Sequence, residues 1–166
     1  KSVTSLAIMR LLPANGKVTQ GSISLQGANL LELSESKMRG IRGAKIGMIF
    51  QDPMTSLNPA YSVKFQLSEA IRTHSQQNLT DDEVHDKCVS LLKQVGISAP
   101  EERLNAYPFQ LSGGMSQRVM IAMTLAGEPD ILIADEPTTA LDVTIQSQIL
   151  SLIKTIQKER KMGVIL

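Results

Sequence analysis

"LSGGMSQRVMIAMTLAGEPDILIADEP", residues 111–137, is the stretch whose reading decides the fold. Ser112 supplies a hydroxyl that can cap a helix start, and Gly113 and Gly114 let the backbone come close to a ligand. Free amides and the helix dipole at such a start favour an anion. Met115, Val119, Ala122, Met123 and Ala126 recur at helical spacing as a buried face, which Gly127 and Pro129 bring to an end. The run "ILIA" is then a short, continuous apolar strand of the kind found in a parallel sheet covered on both faces. It delivers Asp135 and Glu136 to its carboxyl end, where open α/β sheets place their ligands. Neighbouring strand residues point in different directions, so the two acids can divide the work. One can hold a metal through water while the other orients an attacking water.

Outward from this stretch, strand and helix alternate. Val3, Leu6, Ala7 and Leu11 predict a helix that Pro13 closes, and "GSISLQG" alternates like a half-buried strand. "LSESKMRGIRG" reads as a short helix capped by Ser34, and "AKIGMIFQDP" as a strand ending near Gln51, because Pro53 cannot continue a central ladder. Residues 61–106 change character and become helical. Val63, Leu67, Ala70, Ile71 and His74 share one face there. A second helix opens at Thr80, where "TDDE" forms a capping box with Glu83, and Asp81 and Asp82 suit the positive helix start. Val84, Cys88, Leu91, Leu92 and Val95 make its apolar stripe, and Gly96 stops it. Ile145, Ile149, Leu152, Ile153 and Ile156 stripe a last helix, ended by Gly163 before a strand from Val164. The pattern is α/β with a helical insertion.

Composition narrows the classes of function. The chain has 166 residues, enough for one domain with a real core. Its net charge of +1 argues against a dedicated nucleic-acid binder. Three Phe, two Tyr and no Trp leave little for stacking bases. One cysteine, Cys88, rules out an internal disulfide and suits a reducing compartment. No apolar run approaches the roughly 18 residues of a membrane span, and no secretory leader is visible. The chain opens on Lys1 without a methionine and stops in "GVIL", so both ends are expected to be cut points. Lys37, Arg39, Arg42 and Lys45 read as a solvated basic face. His74 and His85 lie on helices without metal-ligand company, Cys88 falls at a core position, and most methionines have core spacing.

The motifs taken together identify a family. The chain resembles the ATP-binding subunits of ABC transporters along essentially its whole length. "LSGGM" is similar to their signature motif, "ILIADE" to the Walker B strand, "TTALD" to the D-loop and "IFQDP" to the Q-loop. The opening "KS" resembles the last two residues of Walker A. The fold this implies is a P-loop NTPase, a partial ABC-type nucleotide-binding domain. It would combine a parallel-sheet core (1–52 and 127–166), a remnant antiparallel β region and an α-helical subdomain (53–126) that carries the signature.

The resemblance also implies roles. Lys1 pairs with the β- and γ-phosphates of ATP, Ser2 ligates Mg²⁺, and Asp135 holds the metal through water. Glu136 is the catalytic carboxylate, and Gln51 senses metal and water. Ser112, Gly113 and Gly114 contact the nucleotide of an opposite subunit, with Asp142 at the same interface. The glycine loop that completes the phosphate cradle is expected before Lys1, so this fragment is expected to bind ATP poorly. The family's switch histidine is expected beyond Leu166, which leaves His74 and His85 out of that role. Met54 falls where family members meet their membrane subunit.

"QDPMTSLNPAYSV", "YPFQLSGGM" and "ADEPTTALDVTIQSQIL" look most like the subunits that power di- and oligopeptide import. Phe109-Gln110 and Lys64-Phe65 depart from that group's pattern, outside the phosphate contacts. The implied partners are a second ATP-binding subunit (homo- or heterodimeric), membrane-spanning permease subunits and, indirectly, a solute-binding protein, with no nucleic acid. The implied location is peripheral, on the cytoplasmic face of a bacterial or archaeal membrane. Alternative readings are an importer ATPase for nickel or another small solute, a soluble ABC ATPase acting on nucleic acid, and a non-catalytic interaction module.

Overall fold

The computed structural model describes residues 1–75, 77–139 and 141–166, with the backbone alone for Pro53 and Met54. The Met54 side chain, expected at a partner contact, and Ala140 within the "TTALD" segment therefore lie outside the described residues. In chain order the helices are α1 (Ser2–Ile8), α2 (Glu35–Ile41), α3 (Pro53–Ser56), α4 (Val63–His74), α5 (Asp81–Gln94), α6 (Pro100–Arg103), α7 (Gly113–Leu125) and α8 (Val143–Arg160). The strands are β1 (Ser24–Leu25), β2 (Ala28–Asn29), β3 (Ile46–Ile49), β4 (Ile131–Ala134) and β5 (Gly163–Ile165).

β4 lies at the centre of a parallel three-stranded sheet between β3 and β5, with Met48 opposite Ile133 and Ile133 opposite Ile165. Both faces are covered, as the unbroken "ILIA" run predicts. Ile46, Met48 and Ile133 point to one side, where Met9, Leu30 and Met38 complete a small core. Ile49, Leu132 and Ala134 point to the other and join the larger core built from α4, α5, α7 and α8. The period-two alternation of a strand thus sorts one sequence run into two cores. β1 and β2 form a small antiparallel hairpin through Gln26 and Gly27, both with positive φ (49° and 84°), the conformation that fits a two-residue hairpin turn.

Several local expectations are met in detail. Ser34 caps α2 by accepting from Lys37 N–H, and the Thr80–Glu83 capping box opens α5 with both reciprocal bonds formed. Gly96 takes φ +73° just past that helix. Val84, Cys88, Leu91, Leu92 and Val95 are buried. Burial also pushes the Cys88 thiol above its ordinary pKa, against a contact with Ser68 that acts in the opposite direction.

Others need correction. α1 ends at Ile8, well before Pro13, because Arg10 turns left-handed (φ 52°) and its guanidinium bonds the carbonyls of Leu30 and Leu33. α8 is stopped by Lys161 in the left-handed conformation, while Gly163 opens β5. α7 has no single apolar face: it packs against α3, α4, α5 and β3. Ser116 and Gln117 are buried there, whereas Met115, Met123 and Ala126 are only partly so. Arg42 does not belong to a solvated face either. Its guanidinium reaches under the sheet to the carbonyls of Met9 and Arg10 and pairs with Glu35, whose carboxyl it holds below the usual range.

The helical insertion joins the sheet through tight backbone contact. A Cβ on Gly127, after α7, would stand 2.0 Å from the carbonyl oxygen of Gly43, ahead of β3. A Cβ on Gly43 would stand 2.3 Å from His74 Nε2 at the end of α4. Burial in this joint lowers the pKa of the His74 imidazole.

Candidate functional site

The site residues collect at the carboxyl end of β4. Asp135 continues the ladder, its N–H donating to Ile49 C=O at 3.0 Å, and so keeps the strand's alternation. Odd-numbered residues of β4 face the α1 side, which aims the Asp135 carboxylate at the start of α1. There the Ser2 hydroxyl donates to Asp135 Oδ1 at 3.0 Å. Asp135 is only 7% exposed, so this hydroxyl satisfies part of a carboxylate that burial would otherwise leave costly. Lys1 occupies the N-cap position of α1, its carbonyl accepting from the N–H groups of Thr4 and Ser5.

Glu136 breaks the strand. Its φ of +50° is rare for a residue with a side chain and reverses the chain direction. The following Pro137 is buried, and Thr139 N–H closes a turn on Glu136 C=O at 3.1 Å. The Glu136 carboxylate meets Gln51 just past β3, whose Nε2 donates to Glu136 Oε2 at 3.0 Å. Thr139 Oγ1 donates to the same oxygen at 3.1 Å. The two adjacent acids therefore face different partners. Lys1, Ser5, Asp135, Glu136 and Pro137 line one cleft of about 340 Å³.

A second group gathers at the start of α7. The Ser112 hydroxyl accepts from Met115 N–H at 3.3 Å, and Gly113 is exposed. A Cβ on Gly114 would stand 3.0 Å from Ile145 Cγ2, and one on Gly113 would meet Leu141 at 3.6 Å. Asp142 caps α8, accepting from Ile145 N–H at 2.9 Å. Ser112, Gly113, Gly114 and Asp142 thus share a surface where α7 and α8 begin. Among the described residues, none of the four lines the Asp135–Glu136 cleft.

Two residues of the site receive no role of their own in the sequence reading. Gln117 is 1% exposed and donates Nε2–H to Pro137 C=O at 2.7 Å, tying α7 to the turn after β4. Its signal in the sequence is a polar residue beside the apolar run Val119–Met123 of the same helix. Thr139 carries the hydroxyl on Glu136, and the run Glu-Pro-Thr-Thr has the composition of a turn that folds back on its first residue.

This geometry can be set beside known proteins. The ABC transporter family model matches residues 1–139, and the chain belongs to that family. It is 55% identical over 166 residues to the dipeptide transport ATP-binding protein DppD of Haemophilus influenzae, covering 100% of this chain and 50% of that protein. It is 52% identical to the oligopeptide transport ATP-binding protein OppD of Bacillus subtilis, covering 99% of this chain and 46% of that one. The chain spans about half the length of the curated relatives it matches. Among solved structures, the dimeric post-hydrolysis ATP-binding cassette MJ0796 bound to ADP and Pi superposes with a TM-score of 0.82. That match has 28% identity and covers 98% of this chain and 66% of the other. The fold is thus that of an ABC-type P-loop NTPase cassette, in part, with its parallel sheet, helices and small antiparallel hairpin.

Proposed function

We propose that the protein is the ATP-binding and ATP-hydrolysing subunit of an ABC importer for di- or oligopeptides. The observation that carries this reading is the separation of two adjacent acids onto two partners, Asp135 toward Ser2 and Glu136 toward Gln51, both acids bordering a cleft that Lys1 also lines. The donor set fits Mg²⁺: a nearly buried carboxylate that lines the cleft and a hydroxyl bonded to it, oxygen ligands only. Ser2 and Asp135 are the residues to hold it, and when bound it neutralises charge on the transferred phosphoryl group. Lys1 pairs with the phosphates of ATP. Glu136 orients the attacking water and accepts its proton, and Gln51 fixes that carboxylate while linking it to the chain entering the helical insertion. Ser112, Gly113 and Gly114 lie on a surface apart from this cleft, which suits service to the nucleotide of a second subunit, with Asp142 beside them. The dimeric cassette among the similar structures supports that arrangement.

Among the described residues no helix is long and apolar enough to cross a membrane. Membrane attachment on the cytoplasmic face is assigned to permease partners, by the importer reading above, and these in turn receive solute from a solute-binding protein. A largely apolar cleft of about 680 Å³, lined among others by Phe50, Thr55, Ser56, His74 and Met123, opens beside Gln51 and offers a seat for the permease. The relatives named above transport dipeptides and oligopeptides, which favours peptide over nickel as solute. Uptake of labelled dipeptide and of Ni²⁺ by cells lacking the gene separates the two. The proposal expects loss of dipeptide uptake alone, restored by the intact gene; selective loss of Ni²⁺ uptake would overturn the peptide assignment.

A further inference from the structure

We infer that Thr139 is a positioning residue for hydrolysis, its hydroxyl holding the Glu136 carboxylate so that Oε1 is the oxygen offered to the attacking water. The inference rests on the ATPase reading above. Gln51 Nε2–H and Thr139 Oγ–H both donate to Glu136 Oε2, at 3.0 and 3.1 Å. A carboxylate has about four acceptor positions on two oxygens, and occupying one oxygen twice leaves the other for water.

The two donors are not equivalent. Gln51 follows β3 and heads the chain into the helical insertion, 85 positions from Glu136, so its amide reaches the carboxylate from a different segment. Thr139 sits in the same turn as Glu136, closed by its own N–H on Glu136 C=O at 3.1 Å. The buried Pro137 fixes one backbone angle of that turn, and the buried Gln117 amide pins the Pro137 carbonyl at 2.7 Å. A left-handed backbone at a residue with a side chain persists where its surroundings over-determine it, and here they do. The Thr139 hydroxyl therefore stays on the carboxylate whether or not Gln51 does. A turn-forming role alone would need only the Thr139 N–H, which any replacement except proline keeps.

The test uses the full-length protein and steady-state ATP hydrolysis, with kcat and KM resolved for Thr139→Val, Thr139→Ala and Thr139→Ser. Thr139 is exposed, so removing its hydroxyl leaves the core intact. Loss of a hydrogen bond to a charged group predicts kcat lower by about tenfold in Thr139→Val and Thr139→Ala, with KM for ATP unchanged within about twofold. Thr139→Ser retains the donor and is expected to restore kcat. In a Glu136→Gln background, Thr139→Val is expected to cost nothing further. Unchanged kcat in the Val and Ala variants, a loss confined to KM, or a Ser variant as slow as Val would each overturn the inference. Undiminished hydrolysis in Glu136→Gln alone marks a different failure: the ATPase assignment of Glu136 falls, and the role of Thr139 with it.

Discussion

The Ser2 hydroxyl lies 3.0 Å from Asp135 Oδ1, joining the first turn of α1 to the end of β4 across 133 positions of sequence. Neither residue does this alone. Asp135 is aimed by the strand's alternation and Ser2 by the helix that covers that face, so the pair is a product of the sheet having both faces packed.

If this pair forms the metal-binding edge of the cleft, Ser2→Ala removes one oxygen ligand and leaves Asp135 without its hydroxyl. The half-saturating Mg²⁺ concentration for ATP hydrolysis is then expected to rise about tenfold. A Mg²⁺ titration at fixed ATP measures it, and an unshifted curve would show that Ser2 only braces Asp135.

The α5 capping box makes stability depend on acidity in a defined direction. Thr80 N–H and O–H both donate to Glu83, the former at 2.8 Å, and hold its carboxyl below the ordinary value of 4.5. A depressed carboxylate contributes stability above its unfolded pKa and loses it as the pH falls through the folded one. Thr80→Ala should therefore lower Tm by about 2–4 °C at pH 7, with the gap to the unmodified protein narrowing below about pH 4.5 to the part due to the cap on Glu83 N–H, which does not titrate. Thermal unfolding followed across that range checks the sign; a gap that widens in acid would contradict it.

Gly127→Ala probes the joint between the helical insertion and the sheet. Its Cβ would meet the Gly43 carbonyl at 2.0 Å, and backbone cannot yield as a flexible side chain does. A loss of about 1–3 kcal/mol is expected in denaturant unfolding. Equal stability would mean that α7 and β3 approach each other less closely than described.

How much of this was legible beforehand follows from where each signal lives. The Thr80 box, the Ser34 and Ser112 caps and the buried "ILIA" strand are local, and local chemistry determines them. That Asp135 would keep to one face of the sheet could be anticipated because strand alternation is local too, whereas the turn that carries Glu136 to Gln51 could not. Long-range contacts were not visible: Arg42 looked like surface charge because the Met9 and Arg10 carbonyls it serves lie 33 and 32 residues away. α7 misled for a related reason, since a helix buried against four neighbours has no single stripe to read. The Gln117 contact with Pro137 and the Thr139 contact with Glu136 depend on a left-handed backbone at Glu136, and no residue-type preference announces that conformation in a glutamate.

The central claim is that Glu136, held by Gln51 at 3.0 Å, is the group that activates water while the rest of the site binds nucleotide. Replacing Glu136 with Gln in the full-length protein keeps size and hydrogen bonding but removes the base. Calorimetric ATP binding and steady-state hydrolysis, measured on the same preparation, should show affinity retained within a few-fold and turnover reduced by about 10²- to 10⁴-fold. Turnover that survives the substitution at full rate would contradict the account.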